Sequence, residues 1–401
     1  MSSLNKTTKN VAWNTFGSIF YLACQWLTTV AVVRLSGDYE YAGFLSLAMS
    51  IANLFVPIGL YKIRSYQVSD VNGEFSSREY IGFRISTIIF GLVIVFAYTV
   101  FTCNGDAVPI IVIYCVYKSI EVYVDVFHGI DQKAGNMVYC GISMALRGVL
   151  SLLAFSLALS FTDSLFIAIT SMVIVSLPVA FLDVKWASSF DDVLPVFNVA
   201  VFLSLFRKCL PAVLGVACCA AVTSFSRQIL GEMLGASELG YYSSVCAPAA
   251  IVQAGALNAY APFLGLYASA EKDGDRRRFN NMILQLLLAV SIICAVVLFL
   301  CYLFGNQALI VIFGQSIAGY TSLIYGAVIS SFLTALIGMF GDLLIVRRKM
   351  NENLVANIVA VIAIVPLSFV LISSFGANGA SYAISFAYFL GCLVSYPLLI
   401  K

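Results

Sequence analysis

Residues 283–304 read ILQLLLAVSIICAVVLFLCYLF, an apolar run that contains no charged side chain. A bilayer core requires roughly 20 mainly apolar residues for one helical span, so this run is long enough to cross it. A transmembrane β-barrel would instead show roughly ten-residue segments of alternating polarity. The run therefore predicts a membrane-spanning α-helix.

Similar apolar stretches recur along the whole chain of 401 residues, of which 61% are hydrophobic and 10% are charged. A soluble domain carries roughly 25% charged residues, so this composition leaves no room for a soluble catalytic domain. We predict about twelve spans in two sets of six. The first set lies at 11–33, 42–61, 81–101, 108–127, 138–160 and 165–182, and the second at 209–230, 241–266, 281–304, 320–346, 354–373 and 378–399.

The longest polar interruption separates the two sets of spans and divides the chain into domains. We predict an N-terminal six-helix bundle at 1–185, a cytoplasmic or interfacial linker at 186–208 and a C-terminal six-helix bundle at 209–401. Phe197, Val201 and Leu205 in the linker form an amphipathic run that we expect at the membrane interface. The predicted fold class is an all-α integral membrane protein of about twelve transmembrane helices.

The basic residues indicate how the chain crosses the membrane. With both termini inside, only Arg34 and Arg227 of the 22 Lys and Arg residues fall toward the outer side. Lys118 and Arg147 lie within spans, and the other basic residues fall on the inner side. The positive-inside rule therefore predicts a multi-pass protein of the cytoplasmic membrane whose N- and C-termini are both cytoplasmic.

The fourth predicted helix carries a stripe of polar and ionisable residues. At spacings of four, three, four and three, the stripe consists of Tyr114, Lys118, Glu121, Asp125 and His128. Ionisable groups inside a bilayer are costly, so the stripe faces either a polar cavity or neighbouring helices as buried structural pairs. Lys118 and Glu121 can form an i, i+3 ion pair. We expect His128, toward the cytoplasmic end, to be an interfacial residue.

Two further arginines, Arg147 in the fifth helix and Arg227 in the seventh, lack an obvious acidic partner on the same helix. A guanidinium binds a planar anion such as phosphate through paired hydrogen bonds, which makes both arginines candidates for a phosphate contact. Two other interpretations remain open. Arg147 can form an interhelical salt bridge, for example with Asp125, and Arg227 can extend to the outer membrane surface.

Neutral polar stripes follow two other predicted helices. In the first helix they are Asn14, Ser18, Tyr21, Gln25 and Thr28, and in the eighth they are Tyr242, Cys246, Ala249, Gln253, Ala256 and Tyr260. Amide, hydroxyl and aromatic groups suit the binding of a sugar chain, so we take Asn14, Tyr21, Gln25 and Gln253 as glycan candidates. Stripes of small residues also allow helices to pack closely, which is the structural alternative.

Signatures of enzymes and cofactor sites are absent from the sequence. The single His excludes a two-His metal site, and no Gly-rich phosphate loop ends in Lys-Ser or Lys-Thr. Most of the 11 cysteines fall within spans, where they are expected to pack as small apolar residues. We interpret Arg64, Arg78 and Arg84, together with nearby acids, as a solvated charged loop. We predict no enzyme, no metal, no cofactor and no nucleic-acid partner.

Six short segments occur in an order and spacing that together indicate a family. They are NTFGS at 14–18, RLSG at 34–37, RSYQVSD at 64–70, DVFHGIDQ at 125–132, GISMALRG at 141–148 and APAAIVQ at 247–253. The chain resembles, over nearly its whole length, the bacterial polysaccharide repeat-unit flippases. These belong to the multidrug/oligosaccharidyl-lipid/polysaccharide exporter superfamily.

The resemblance implies a MATE-like exporter with two six-helix bundles and an inward-facing cavity. It implies a flippase that moves undecaprenyl-pyrophosphate-linked oligosaccharide repeat units to the outer leaflet for surface polysaccharide biosynthesis. Transport would proceed by alternating access, coupled to an H⁺ or Na⁺ gradient or to the membrane potential. The implied partners are the lipid-linked glycan, membrane lipids, a polysaccharide polymerase and glycosyltransferases.

Site residues follow from the same resemblance. Arg34, Lys118, Arg147 and Arg227 become candidates for binding the pyrophosphate head group. Glu121 and Asp125 become candidates for ion coupling.

Three other functions remain open. The nearest is a cation-coupled multidrug exporter of the same fold. A membrane polysaccharide polymerase or ligase would usually carry a large outer loop, whereas the longest predicted outer loop here is 305–319. The third is a non-transporting scaffold or a relative that handles peptidoglycan precursors.

Overall fold

A computed structural model describes residues 2–70, 73–260, 267, 270–271, 273–347 and 349–400. These residues contain α-helices and helical turns and no β-strand. They form two compact units, Met1–Val213 and Leu214–Lys401.

The first unit contains seven helices and the start of an eighth. They are α1 (Ser2–Ser36), α2 (Tyr39–Leu60), α3 (Ile63–Ser69), α4 (Ser77–Thr102), α5 (Ala107–Lys133), α6 (Val138–Thr162), α7 (Leu165–Ala187) and α8 (Val199–Leu234). Side-chain caps fix several helix starts. At α4, the Ser76 hydroxyl accepts from the Glu79 amide at 3.4 Å, and the Glu79 carboxylate accepts from the Ser76 amide at 2.9 Å. This reciprocal cap satisfies amides that have no partner inside the helix.

The second unit continues from α8. Its further helices within the described residues are α9 (Ala236–Cys246), α10 (Ala250–Tyr260), α11 (Arg276–Leu300), α12 (Asn306–Phe313), α13 (Leu323–Val346), α14 (Met350–Phe375) and α15 (Ala377–Ile400). A π-helical turn, Cys301–Gly305, joins α11 to α12. The core of this unit includes the buried aromatic side chains of Tyr260, Phe279, Phe340 and Tyr388.

Eleven helical stretches among the described residues are long and apolar enough to cross a membrane. They match the predicted spans except the eighth, which was predicted at 241–266. There a 3-10 turn at Ala247–Ala249, which contains Pro248, separates α9 from α10, and residues 261–266 lie outside the described residues. Large apolar side chains such as Phe101 and Phe161 are more than four-fifths exposed, as expected where lipid replaces water. The all-α, multi-pass membrane fold is confirmed.

Helices α1 and α6 touch backbone to backbone. A Cβ atom built on Gly17 would lie 2.2 Å from the Gly141 carbonyl oxygen, and one on Gly141 would lie 2.2 Å from the Trp13 carbonyl oxygen. Any larger residue at either position would force the helices apart. Two glycines therefore set the closest approach of these helices.

The predicted linker packs on the first unit. The Val196 amide donates to the Arg78 carbonyl at 3.0 Å, and a Cβ on Gly82 would lie 2.1 Å from the Val196 carbonyl oxygen. The interfacial prediction is wrong for Leu205, which is fully buried beside Tyr61 and Phe83. Phe197 is exposed. Helix α8 begins at Val199, inside the predicted linker, and continues without a break to Leu234.

Candidate functional site

A polar cluster within the first unit joins α1 to α5. The Tyr21 hydroxyl donates to a Glu121 carboxylate oxygen at 2.8 Å, and the Lys118 ammonium lies 2.7 Å from the same oxygen. The Gln25 amide donates to the Tyr21 hydroxyl at 2.7 Å. The same-helix pair that the spacing of Lys118 and Glu121 allows is therefore present, and two glycan candidates join it.

This cluster is partly accessible. The Glu121 side chain is 34% exposed and Lys118 is 12% exposed, so the carboxylate is the more open end of the pair. A small cavity of about 10 Å³, at the lower limit for one water molecule, adjoins the cluster. It is lined by Gln25, Thr28, Thr29, Leu45, Met49, Tyr114 and Met172.

Arg147 on α6 anchors a second, fully buried group. Its guanidinium lies 4.0 Å from the Asp183 carboxylate of α7, and the Ser143 hydroxyl donates to that carboxylate at 2.7 Å. His128 Nε2 lies 3.4 Å from Asp183 Oδ1. The interhelical partner of Arg147 is therefore Asp183, not the Asp125 offered as an example. The expectation that His128 lies at the membrane interface remains a prediction, and its side chain is 4% exposed and packs inside the first unit.

The polar cluster around Glu121 and the buried group around Arg147 meet at the Tyr21 ring. The Arg147 guanidinium carbon lies 6.0 Å from the ring centre and the Lys118 ammonium lies 5.8 Å from it. Cations at this range are attracted by the negative face of an aromatic ring. Tyr21 thus links Arg147 to the pair of Lys118 and Glu121.

Asp125 is enclosed by two arginines from neighbouring helices. Its carboxylate accepts from Arg84 on α4 at 2.8 Å and from Arg64 on α3 at 3.2 Å. Arg84 also donates to the Gly59 carbonyl at 2.9 Å and is fully buried. The solvated-loop prediction is therefore wrong for Arg84. The cost of burying its charge is offset by a carboxylate and a carbonyl.

The remaining candidates lie elsewhere. Arg34 is exposed at the end of α1, thirteen residues and roughly 20 Å along the helix from Tyr21, and Asn14 is half-buried roughly 10 Å from Tyr21 in the other direction. Arg227 and Gln253 belong to the second unit. Gln253 is exposed, and Arg227 is half-buried within electrostatic range of Tyr242 and Cys246. The first unit thus gathers Tyr21, Gln25, Lys118, Glu121 and Arg147 into one network, with Asp125 on the next turn of α5.

The sequence reasoning missed Asp183 and Arg84 as parts of this site. Arg84 was assigned to a solvated charged loop, and Asp183, just after the sixth predicted span, was given no role. Arg84 is the one charged residue of the apolar segment IGFRIS, and Asp183 directly follows the apolar run of the sixth predicted span; a charge beside such a run signals a buried partner. That signal identifies such residues but does not say which partner they meet.

The chain is similar to known proteins both in sequence and in fold. No family model matches the chain. The capsular polysaccharide biosynthesis protein CapF of Staphylococcus aureus is similar in sequence. It is 28% identical over 395 residues, which cover 97% of this chain and 98% of that protein.

Solved structures of transporters are similar in fold. A multidrug resistance MATE family transporter of the MOP superfamily, in an inward-facing conformation, has a TM-score of 0.75 at 13% identity and covers 98% of both chains. The lipid II flippase MurJ, in an inward closed conformation, has a TM-score of 0.76 at 11% identity. That match covers 97% of this chain and 87% of MurJ.

A third similar structure is the MATE multidrug transporter DinF-BH, solved as a complex with a bound ligand. It has a TM-score of 0.69 at 15% identity and covers 98% of this chain and 95% of that one. At such identities the likeness shows the fold alone. The chain is a multi-pass membrane protein with a MATE-like fold, and the capsular polysaccharide relative and this fold agree with the resemblance drawn from its sequence.

Proposed function

We propose that this chain is a flippase that moves undecaprenyl-pyrophosphate-linked oligosaccharide repeat units across the cytoplasmic membrane. It supplies surface polysaccharide biosynthesis by alternating access, coupled to an ion gradient or to the membrane potential. Both termini lie in the cytoplasm in this proposal. The lipid-linked glycan passes from glycosyltransferases to a polysaccharide polymerase, and the chain itself performs no chemical conversion.

The observation that carries the proposal is similarity of nearly full length to a capsular polysaccharide biosynthesis protein. The fold of this chain is also that of a lipid II flippase, so a lipid cargo is compatible with this architecture. A drug exporter would share the fold, but it would not account for the capsular relative. The two comparisons therefore favour a lipid-linked glycan over a free drug molecule.

The network in the first unit suits a pyrophosphate head group. Lys118 is held by Glu121, which is one-third exposed, so an incoming phosphate can compete with that carboxylate for the ammonium. Gln25 offers an amide to the first sugar, and the buried Tyr21 hydroxyl, which binds both Gln25 and Glu121, holds that amide in place. Arg147 stays buried against Asp183 and supports Tyr21 from behind. When the substrate arrives, its phosphate therefore replaces the Glu121 carboxylate as the partner of the Lys118 ammonium.

Complementation tests the proposal directly. A strain that lacks its repeat-unit flippase should regain surface polysaccharide when it expresses this chain. We expect Lys118→Ala and Arg227→Ala to lower the recovered polymer at least tenfold, with lipid-linked repeat units accumulating in the membrane. Lys185→Ala removes an exposed lysine of α7 and is the matched control, which should behave as the wild type.

Two results would contradict the proposal. The first is a wild-type protein that reaches the membrane and restores no polymer in strains with defined repeat units. The second is normal polymer from both Lys118→Ala and Arg227→Ala, which would remove these residues from the substrate path. Arg147→Ala is less informative, because it also leaves Asp183 as an unpaired buried charge.

A multidrug exporter is the second candidate function. It is favoured by one observation, the structural likeness to MATE multidrug transporters such as DinF-BH. Efflux of fluorescent dyes from proteoliposomes that contain the purified chain distinguishes the two functions. Dye efflux without restored polymer would support this candidate.

A further inference from the structure

A carboxylate near the end of α5 is buried without a partner. Asp131 has no exposed surface, and neither of its side-chain oxygens has a hydrogen-bond partner among the residues that the structure describes. Glu121 and Asp125 on the same helix differ from it, since basic side chains bind both of them. Asp131 is therefore the acid of α5 whose charge nothing nearby neutralises directly.

Charged and titratable groups reach Asp131 from several of the helices around α5. Asp183 of α7 repels a negative charge on Asp131, and Arg64 of α3 attracts one. The Cys140 thiol of α6 also interacts with Asp131. Arg84 of α4 forms an ion pair with Asp125, and Arg64 donates hydrogen bonds to both Asp125 and the Gln132 amide oxygen. Among the described residues, neither arginine donates a hydrogen bond to Asp131.

Asp183, the other buried acid nearby, is better supported. It accepts from the Ser143 hydroxyl and faces the Arg147 guanidinium. His128 Nε2 lies 3.4 Å from its second oxygen, without the alignment of a hydrogen bond, so both of those atoms still lack a partner. Asp183 thus has a counter-charge in Arg147, and the imidazole nitrogen of His128 lies beside it.

An isolated ionised carboxylate in a low-dielectric interior costs far more than a neutral carboxylic acid. The negative charge of Asp183 adds to that cost through direct repulsion. A proton on Asp131 removes both penalties, and it also turns one oxygen into a hydrogen-bond donor. Burial, lack of partners and repulsion therefore all favour the protonated form of Asp131 in this conformation.

We propose that Asp131, with His128 and Asp183 beside it, is a proton-binding site in the first unit and that Asp131 carries the proton in this conformation. The inference rests on the proposed function in one respect: it names the coupling ion of that transport as H⁺. Glu121 and Asp125 are less suited to carry this proton, because basic side chains already bind both carboxylates. His128 precedes Asp131 by three residues on α5 and so lies on the same face of that helix.

A metal cation is a poorer occupant than a proton. The described residues contain no group of three or more His, Cys, Asp or Glu side chains that is placed to hold a metal ion. A proton needs only one carboxylate. Loss of the proton leaves the Asp131 carboxylate ionised and without a partner. Water or a counter-ion must then reach it, so proton release requires this end of the first unit to open.

Infrared spectroscopy of the purified full-length protein tests the site without any transport assay. We expect wild type at neutral pH to show the carbonyl stretch of a protonated carboxylic acid, shifted in D₂O. Asp131→Asn should lose this band completely. Asp183→Asn should keep it, because the proton lies on Asp131. Asp163→Asn removes an exposed acid between α6 and α7 and is the matched control, which should also keep the band.

The outcomes separate this inference from the proposed function. A wild type without the band, or a band that persists in Asp131→Asn, overturns the proton site even when complementation succeeds. A band that vanishes when sodium replaces choline at constant pH overturns it in favour of a sodium site. Failed complementation with the band intact contradicts the flippase alone. If Asp131→Asn does not fold, wild type labelled with ¹³C at aspartate carboxyl groups decides, since an unshifted band would also overturn the site.

Discussion

Two arginines of α4 form ion pairs with aspartates, one buried and one exposed. Arg84 is fully buried against Asp125, whereas Arg78 is 42% exposed against Asp192. Removing one member of a buried pair typically costs about 3–5 kcal/mol, because the other charge loses its partner. An exposed pair contributes about 0–1 kcal/mol. Burial should therefore separate the two substitutions.

We expect Arg84→Met to lower the free energy of unfolding by about 3 kcal/mol, near the lower end of that range because Arg64 still neutralises Asp125. Arg78→Met is the matched control on the same helix and should change it by less than about 1 kcal/mol. Thermal unfolding in detergent, followed by tryptophan fluorescence, measures both. Equal effects of the two substitutions would show that the pair of Arg84 and Asp125 is not buried as described.

Asp70 organises the turn that leads into α4. Its carboxylate accepts from the amides of Glu74 and Phe75 at 2.9 and 3.1 Å, and from the Tyr80 hydroxyl at 2.9 Å. Burial raises the pKa of Asp70, but these hydrogen bonds outweigh it and hold the pKa below its ordinary value of 3.8. Folding lowers the pKa of Asp70, so the stabilisation contributed by its ionised carboxylate is complete above the ordinary pKa of 3.8. It is lost as the pH falls through the lower pKa of the folded protein.

We therefore expect the amides of Glu74 and Phe75 to remain protected at neutral pH and to lose protection below pH 3.8. Asp70→Asn should reproduce part of that loss at neutral pH, since an amide has only one acceptor oxygen. Hydrogen exchange measured by mass spectrometry, corrected for the intrinsic rate, reports both effects. Asp192→Asn, at an exposed acid of the linker, is the control. Protection that is the same in Asp70→Asn and wild type would contradict this role.

At the scale of elements, the crossing of α1 and α6 positions the site. Tyr21 on α1 reaches Glu121 only while α1 lies close to its neighbours, and Gly17 and Gly141 permit that approach. We expect Gly141→Ala to push α1 away, lower the melting temperature and weaken transport as strongly as Tyr21→Phe. The reason is a Cβ atom 2.2 Å from a backbone oxygen, which cannot move aside as a side chain can.

Gly338→Ala on α13 is the matched control for this prediction. A Cβ at Gly338 meets nothing within 4 Å, so alanine should stabilise the helix by about 0.5–1 kcal/mol. Melting temperatures in detergent and polymer recovery in the flippase-deficient strain measure both variants. A Gly141→Ala protein as stable and active as Gly338→Ala would mean that the helices do not touch at this point.

The sequence predicted elements better than it predicted their partners. The three-four spacing of Lys118, Glu121 and Asp125 correctly placed them on one face of a helix, because helical periodicity is a local property. Which arginine meets Asp125 depends on how α3, α4 and α5 pack, and no local pattern encodes that packing. The break at Pro248 was missed, because the hydropathy of the eighth span is continuous across it.

At the scale of the whole molecule, composition and apolar runs predicted an all-α membrane protein of about twelve spans, of which eleven are present among the described residues. The MATE-like fold was implied by the resemblance of the six short segments, not by composition. The domain boundaries at 185 and 208 remain predictions, and the linker itself shows why they are hard to place. Leu205 and Val213 look like parts of an interfacial segment and a seventh span, yet both are buried in one core with Phe83. Burial against a distant helix is not visible in the local sequence.

The orientation of the chain gives a further prediction. We expect epitope tags at both termini to resist protease added to right-side-out membrane vesicles, and a tag inserted at Asp163 to be cleaved. The reason is the predominance of basic residues on the side that bears the termini. Inverted vesicles are the control and should reverse both results. Cleavage of a terminal tag in right-side-out vesicles would contradict the orientation.

The pairing of Arg84 with Asp125 also has a consequence for biogenesis. The ribosome makes the arginine 41 residues before it makes the aspartate that neutralises it. An arginine at the bilayer centre costs about 2.5–3.5 kcal/mol on the translocon scale, and Arg84, seven residues after the start of α4, lies nearer the inner head groups and costs less. We therefore expect α4 to remain at the translocon, or near the head groups, until α5 has been made. For these two helices, entry into the lipid and assembly with each other are a single event.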